Sequence, residues 1–414
     1  MKRTSIAWRN LMHDRGRTAV ALAGLGFSLV VIFLQLGFLQ VMLSTATTVL
    51  DKLDYDIMIV SKNYHYLADA GQFPLPRLVR ARAVRGVERV LPVYVRFGIW
   101  RSQASPGAYA PAAEDGRPQS ILVLGLPPEA RPPGELPFKS FGEFDPQQIV
   151  EQLPQLATPR ALLIDRNSRD EFGPQEPNTP VELNGEDFKI VGRCDLGTGF
   201  SATGAALLES HNFARAFGGG ALDEPTLGLV TVADGEDVAA VAGRLEEALP
   251  IFRDEQGGGP PGATGDVRVV IKEDLREQER KYWRSEKAIG SIFQMGIGIS
   301  VIVGFVVVYQ VLSSDIADHM AEYATLKALG ATDRRIAGVV IEQALLLGLI
   351  GYGLALLASA GLYSLVEYLT RLPMTLRVWW ILAWPMFLAV AITAGSALLS
   401  VRKVYRADPA ELFR

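Results

Sequence analysis

The stretch "TAVALAGLGFSLVVIFLQLGFLQVML" (18–43) holds fifteen Leu, Ile, Val or Phe and no charged side chain. A helix crosses the hydrocarbon of a bilayer in about 20 apolar residues at 1.5 Å each. At roughly −0.3 to −0.6 kcal/mol per large apolar residue, the fifteen contribute on the order of −5 to −9 kcal/mol toward insertion. Gln35, Gln40 and the glycines offset part of this. The stretch is too long for the apolar core of a signal peptide, and no small-x-small cleavage site follows it, so it is expected to stay as an anchor.

Outward from it, the chain is free of charge over 18–50, 288–314, 343–366 and 378–401. Across all 414 residues, 49% are hydrophobic and 21% charged, which suits a chain that is part membrane and part soluble. A net charge of −4 offers no basic face to nucleic acid. The one cysteine, Cys194, has no partner for an internal disulfide, and no Cys/His set has zinc spacing. Cys194 is expected to be a small buried residue.

Lys and Arg in short flanks set orientation. Lys2, Arg3, Arg9, Arg15 and Arg17 precede the first run. Lys327, Arg334 and Arg335 lie between the second and third. Arg402, Lys403, Arg406 and Arg414 follow the fourth. Only Arg371 and Arg377 lie between the third and fourth. Twelve against two predicts a multi-pass protein of the bacterial inner membrane with both termini in the cytoplasm. Arg9, Arg15, Arg17, Arg402 and Lys403 are read as basic anchors at the membrane surface, and Trp379, Trp380 and Trp384 as an outer aromatic belt.

The plan that follows starts with a cytoplasmic amphipathic helix (1–17), a first span (18–48) and an extracytoplasmic α+β domain (49–272). A charged stalk helix (273–287) is expected to run without a break into a second span (288–314). Then come a cytoplasmic coupling helix and loop (315–335), a third span (336–366), a short outer loop (367–377), a fourth span (378–401) and a cytoplasmic tail (402–414). The fold class is therefore a membrane protein of four transmembrane helices with a large α+β domain between the first and second.

Within the domain, β-rich runs recur at 56–60, 89–100, 121–126, 161–165, 188–192, 226–232 and 267–271. "EDVAAVAGRLEEAL" (236–249) puts Val238, Val241, Leu245 and Leu249 on one helical face. Stretches 103–118 and 256–266, rich in Pro, Gly and Ala, are expected to be loops. The domain carries only His65 and His211, and no H-E-x-x-H, G-x-S-x-G or paired-Cys motif. No catalytic residue, metal site or cofactor is assigned to this chain. "GPPGATGD" (259–266) imitates a P-loop but has Asp where the Lys must stand. Any ATP-driven work therefore needs a separate ATPase, which would bind the ATP and Mg.

Small residues let helix backbones approach in lipid. Gly296, Ser300 and Gly304 form one such stripe; in the third span Gly351 and Ala355 stand at i, i+4, with Gly348 and Gly353 as further packing residues. Both are expected at helix–helix faces, within one chain or between two. Glu342 is placed about 9 Å inside the third span if that helix starts at Ile336; it is either an interfacial carboxylate or a structural polar contact.

One polar insert, "EYATLKALGATDRRI" (322–336), parts the second and third spans. As a helix over 315–329 it lines up Ile316, Met320, Tyr323, Leu326 and Leu329 on a drifting apolar stripe, with Asp315, Asp318, Glu322 and Thr325 on another side. Gly330 sits where a helix-ending glycine would, and Asp333 where the next helix would be capped. A plain hairpin needs far fewer residues, so the insert is expected to dock a cytoplasmic partner.

"YATLKALGATDRRI" (323–336), "EQALLLGLIGYGLAL" (342–356) and the closing "VRKVYRADPAELFR" (401–414) together resemble the FtsX/MacB superfamily of ABC transporter permeases. "IAWRNLMHDRGRTAVALAGLGFSLVVIFLQLGF" (6–38), "KYWRSEKAIGSIF" (281–293) and "CDLGTGFSATG" (194–204) are similar to its DevC-type branch, permeases of heterocyst-glycolipid-type exporters. "GATDRRI" departs from that branch's usual Gly-Tyr and drifts toward the wider superfamily. The resemblance implies a MacB/FtsX-like, type VII architecture and a homodimer. It implies that an ABC ATPase docks on Asp318, Glu322, Tyr323, Thr325, Leu326, Lys327, Leu329, Gly330 and Ala331. It also implies nucleotide-driven motion passed to the outer domain, a periplasmic membrane-fusion-type adaptor, a TolC-like outer-membrane channel, and a lipid, glycolipid or other amphiphile as cargo. Two relatives of the same plan imply other tasks: an FtsX-like signal transducer acting on a periplasmic partner, and a lipoprotein-releasing permease.

Overall fold

The computed structural model describes residues 15–102, 117–127, 155–250, 265–318, 320, 325, 332–370, 372 and 374–405. Arg9 and most of the coupling segment (Glu322, Tyr323, Leu326, Lys327, Leu329, Gly330 and Ala331) lie outside them, as does the tail beyond Tyr405. Two compact units form, one from residues 1–41 and 288–414, the other from 42–287.

In the first unit the helices are α1 (Arg15–Lys52), whose first part belongs here, α6 (Ala288–Asp318), α7 (Asp333–Thr370) and α8 (Trp379–Tyr405). All four are long and apolar enough to cross a membrane. Their contacts are made where one side has no bulk. A Cβ at Gly24 would stand 2.4 Å from Val307, and one at Gly304 would stand 3.1 Å from Ser28, so α1 and α6 approach through these residues. Hydroxyls add directed contacts between helices: Ser396 donates to the Phe305 carbonyl at 3.0 Å and Tyr352 to that of Leu382 at 3.2 Å.

Among its described residues the second unit holds nine strands: β1 (Ile57–Ser61), β2 (Val87–Ser102), β3 (Gln119–Leu126), β4 (Ala161–Asp165), β5 (Pro180–Leu183), β6 (Glu186–Cys194), β7 (Ala205–Glu209), β8 (Leu227–Val232) and β9 (Val267–Ile271). Its helices are α2 (Pro76–Arg82), α3 (Ser210–Phe217), α4 (Val238–Ala248) and α5 (Lys272–Lys281). Every β run read from the sequence is a strand, and α4 buries Val241 and Leu245 with Leu249 just beyond it. β5 and β7 were not foreseen. β7 reads AALLE, a helix-forming composition, but it lies between β3 and β4 with all five residues buried. Tertiary burial overrides propensity there.

β2, of 16 residues, is the shared strand. Pairings run β2–β3–β7–β4–β6–β5 and back to β2, a closed ring of six strands. From the same strand an open sheet extends as β2–β8–β1–β9. Ile57, Ile59, Val90 and Val230 of the open sheet pack with Leu78 of α2 and Val241 and Leu245 of α4. The opposite face, with Met58, Val60, Leu91, Val93 and Leu229, packs with Val49, Leu50 and Leu53 at the end of α1 and Leu275 of α5. β1 is thus buried on both faces.

The expected unbroken stalk is not found. α5 ends at Lys281, residues 282–286 wind as a π-helix, and Lys287 is extended (φ −75°, ψ 130°) before α6 begins. The wider turn stacks Tyr282 on Tyr66 at 5.1 Å and sets Trp283 edge-on to the same ring. Lys287 Nζ lies 4.3 Å over Tyr66 and 3.2 Å from its hydroxyl. Cation–π attraction and ring stacking favour the break over a straight helix.

Candidate functional site: two polar joints

α1 crosses the boundary between the units at Val41/Met42 and ends within the α+β unit. That end is fastened on two sides. Lys52 Nζ donates to the Asp195 carbonyl at 2.6 Å and stands 3.6 Å from its carboxylate. Asp51 pairs with Arg276 of α5, which also holds Glu273 at 2.6 Å. Lys272 reaches back to the Leu53 carbonyl at 3.1 Å and over the Tyr55 ring at 4.3 Å.

The stretch "CDLGTGFSATG" is the bearing surface of this joint. Gly197 (φ +71°) and Gly199 (φ +55°) occupy left-handed backbone, and a Cβ on them would fall 2.8 Å from Thr48 and 2.2 Å from Thr45. Only glycine meets both demands, positive φ and contact with a helix. Beneath the loop, Asp165 at the end of β4 is fully buried and accepts from the Leu196 and Asn167 amides at 3.1 and 3.4 Å. Burial pushes its carboxyl up to about 6, against those two hydrogen bonds. Cys194 beside it is buried and free, and burial raises its thiol well above the usual range. His65 and His211 stand apart from this chemistry: His65 tilts against Tyr282, and His211 contacts Glu209 with 80% of its side chain exposed.

On α5 a second carboxyl is buried. Glu279 is fully enclosed and accepts a short hydrogen bond from the Tyr64 hydroxyl. Burial raises it to about 7, while the Tyr64 hydroxyl and, more weakly, the nearby Leu67 amide and Trp283 indole pull it down. The sequence carried a signal for this group: Leu275, Glu279 and Trp283 recur every four residues, so one Glu in a charged helix takes an inward place between two apolar residues.

The other joint lies in the helical unit. Arg17, expected as a surface anchor, pairs through one guanidinium nitrogen with Asp318 at 2.6 Å and stands 3.8 Å from Asp315. Asp315 Oδ2 accepts from Gln343 Nε2 at 3.0 Å. Of the neighbours Glu342 and Gln343, Gln343 is the buried one and Glu342 is exposed. Because Gln343 is level with the last turn of α6, Glu342 stands at the end of the apolar zone rather than within it.

The small-residue stripes separate in the same way. A Cβ at Gly296 would meet Gln35 of α1 at 2.5 Å, at Gly351 Leu25 of α1 at 2.9 Å, and at Gly348 Thr393 of α8 at 2.8 Å. Ser300 is buried and bonds back to the Gly296 carbonyl at 2.9 Å. These are faces within one chain. Gly353 meets nothing within 4 Å and packs no helix here. Thr325, Arg15 and Arg402 are exposed, and Lys403 lies on α8. Among the described residues no group of three or more His, Cys, Asp or Glu is placed to hold a metal ion.

Residues 18–248, more than half of the chain, match the family described as the MacB-like periplasmic core domain, and residues 295–409 match the FtsX-like permease C-terminal family. The chain belongs to the FtsX/MacB superfamily of ABC transporter permeases. The first match covers α1 and the α+β unit as far as the end of α4, and the second covers most of the last three apolar helices. Two solved structures are similar. One is the periplasmic region of MacB from Actinobacillus actinomycetemcomitans, at 10% identity and a TM-score of 0.34, covering 56% of this chain and 96% of that one. The other is the extracellular domain of the noncanonic ABC-type transporter YknZ from Gram-positive bacteria, at 12% identity and a TM-score of 0.28, covering 45% of this chain and 88% of that one. No curated protein matches.

Proposed function

We propose that this FtsX/MacB-type permease is the membrane subunit of an ABC export system. A separate cytoplasmic ATPase binds ATP and Mg and docks on the segment from Asp318 to Ala331. Its cycle moves the α+β domain on the periplasmic side, and that motion drives a lipid, glycolipid or other amphiphile toward a membrane-fusion-type adaptor and an outer-membrane channel. Two copies of the chain form the working unit, with all termini in the cytoplasm. The observation that carries this reading is α1. One helix of 38 residues begins among the apolar helices and ends clamped in the α+β unit by Lys52–Asp195 and Asp51–Arg276. A stiff rod with fastened ends suits transmission of displacement better than conduction of solute.

The test is charge reversal at Glu322 and Lys327 together, in membranes that also contain the co-expressed ATPase. Loss of ATPase recruitment with normal insertion of the permease is the expected result. Unchanged recruitment and hydrolysis would remove the docking segment from the mechanism.

A further inference from the structure

The node Arg17–Asp315–Asp318–Gln343 joins three helices at one level. Arg17 is in the first turn of α1, Asp315 and Asp318 are in the last turn of α6, and Gln343 is the eleventh residue of α7. Asp315 and Gln343 are 9% and 5% exposed, so their polar atoms are withdrawn from solvent and satisfied by one another and by Arg17. A buried carboxylate and a buried amide are costly unless paired, and here each finds its partner on another helix at the end of the apolar zone. Gly24, Gly304 and Gly351 bring α1 against α6 and α7, whereas the Asp315–Gln343 bond links α6 directly to α7.

The position of the node matters more than its strength. From Asp333 to Gln343, α7 spans ten residues, about 15 Å. The docking segment joins two points: the end of α6, inside the node, and the tip of α7, about 15 Å beyond it along the helix. A push on that segment therefore acts on a short arm with the node at its foot. On the far side, α1 runs from Arg17 to Lys52, about 52 Å. We infer that Arg17, Asp315, Asp318 and Gln343 are positioning residues that form a fulcrum, passing displacement of the docking segment to α1 and so to the joint at Lys52 and Asp51. This rests on the permease reading above and names the residues that reading lacks.

The experiment uses the full chain co-purified with its ATPase in lipid nanodiscs. Hydrogen exchange of residues 272–287 is measured with and without ATP plus orthovanadate. Two variants test the node, Arg17→Gln and the volume-conserving Gln343→Met; a third, Arg17→Asp with Asp318→Arg, reverses the pair. In the reversed pair the guanidinium stands one turn from Asp315 and can hold both carboxylates. The single variants are expected to retain the ATPase but to show an ATP-dependent exchange difference smaller by about 5-fold or more. The reversed pair restores it to within about 2-fold, which a merely structural role would not do. An undiminished difference in both single variants overturns the fulcrum. Loss of the ATPase from those variants alone also overturns it, by making the node part of the docking surface. Absence of any ATPase from the wild-type preparation refutes the permease reading, and the fulcrum with it.

Discussion

Replacing Glu279 by glutamine removes one carboxyl and keeps an acceptor for the Tyr64 hydroxyl. In the folded chain burial holds this acid to about 7, against 4.5 when unperturbed. The unfolded chain therefore begins to ionise near pH 4.5, while the folded chain keeps its proton until about pH 7. In that window the folded state binds more protons, so stability falls as pH rises and levels off above about pH 7. The full span of about 2.5 units corresponds to roughly 3 kcal/mol, of which about 2.5 kcal/mol is lost between pH 5 and pH 8. For a unit of this size, residues 42–287, that is roughly 5–10 °C in Tm. The assay is thermal unfolding of the full chain in nanodiscs across pH 5–8, followed by tryptophan fluorescence, which reports on Trp100 and Trp283 of this unit. Wild type should lose about 5–10 °C more than Glu279→Gln over that range. Asp165, raised to about 6, acts in the same direction but is present in both proteins and cancels in the difference. Parallel curves would refute the linkage, and a steeper decline in the variant would reverse its sign.

Gly199→Ala puts a methyl group 2.2 Å from Thr45 on backbone at φ +55°; a loss of about 2–4 kcal/mol is expected from strain and overlap, read as a fall in Tm of the full chain. The Cys194 thiol, buried and raised, should react with N-ethylmaleimide at least ~100-fold more slowly in the native chain than in the denatured one. A periplasm-active reporter fused after Pro118 should be active and one fused after Arg414 inactive, with the opposite pattern for a cytoplasm-active reporter; reversed patterns sink the orientation.

The apolar helices were legible because their signal is bulk composition over more than twenty residues, which no local contact overturns. The strands were legible where β-branched residues alternate or cluster, as in LGLVTV (β8) and VRVVI (β9). They were hidden where composition favours another state: AALLE becomes β7 only because neighbours on both sides supply its hydrogen bonds. The stalk failed for a different reason. Its helical propensity is real up to Lys281, but the break at Lys287 is decided by Tyr66, more than 200 residues away in sequence. The joints were the least legible part. Lys52, Asp195, Asp51 and Arg276 are ordinary charged residues in sequence, and only pairing across separations of 143 and 225 residues makes them a site. Glu342 drew attention as a carboxylate, whereas the buried contact belongs to its neighbour Gln343, because a helix turns by 100° per residue.

β1 and β9 run antiparallel, with Ile57 opposite Ile271. The chain enters β1 from α1 and leaves β9 into α5, so both connections toward the apolar helices emerge at the same end of one two-strand ladder. Lys272 and Asp56 close that end with a single backbone bond of 3.0 Å. A load that pulls the two connections apart acts first on the Asp51–Arg276 pair and the Lys272–Leu53 contact, and then on the ladder bonds one at a time, as in unzipping. A load that moves them together strains none of them and carries β1, β8 and the shared strand β2 as a block. The polar clamp between the two tethers therefore guards the ladder: while Asp51–Arg276 and Lys272–Leu53 hold, the tethers move in agreement and the sheet is loaded as a block.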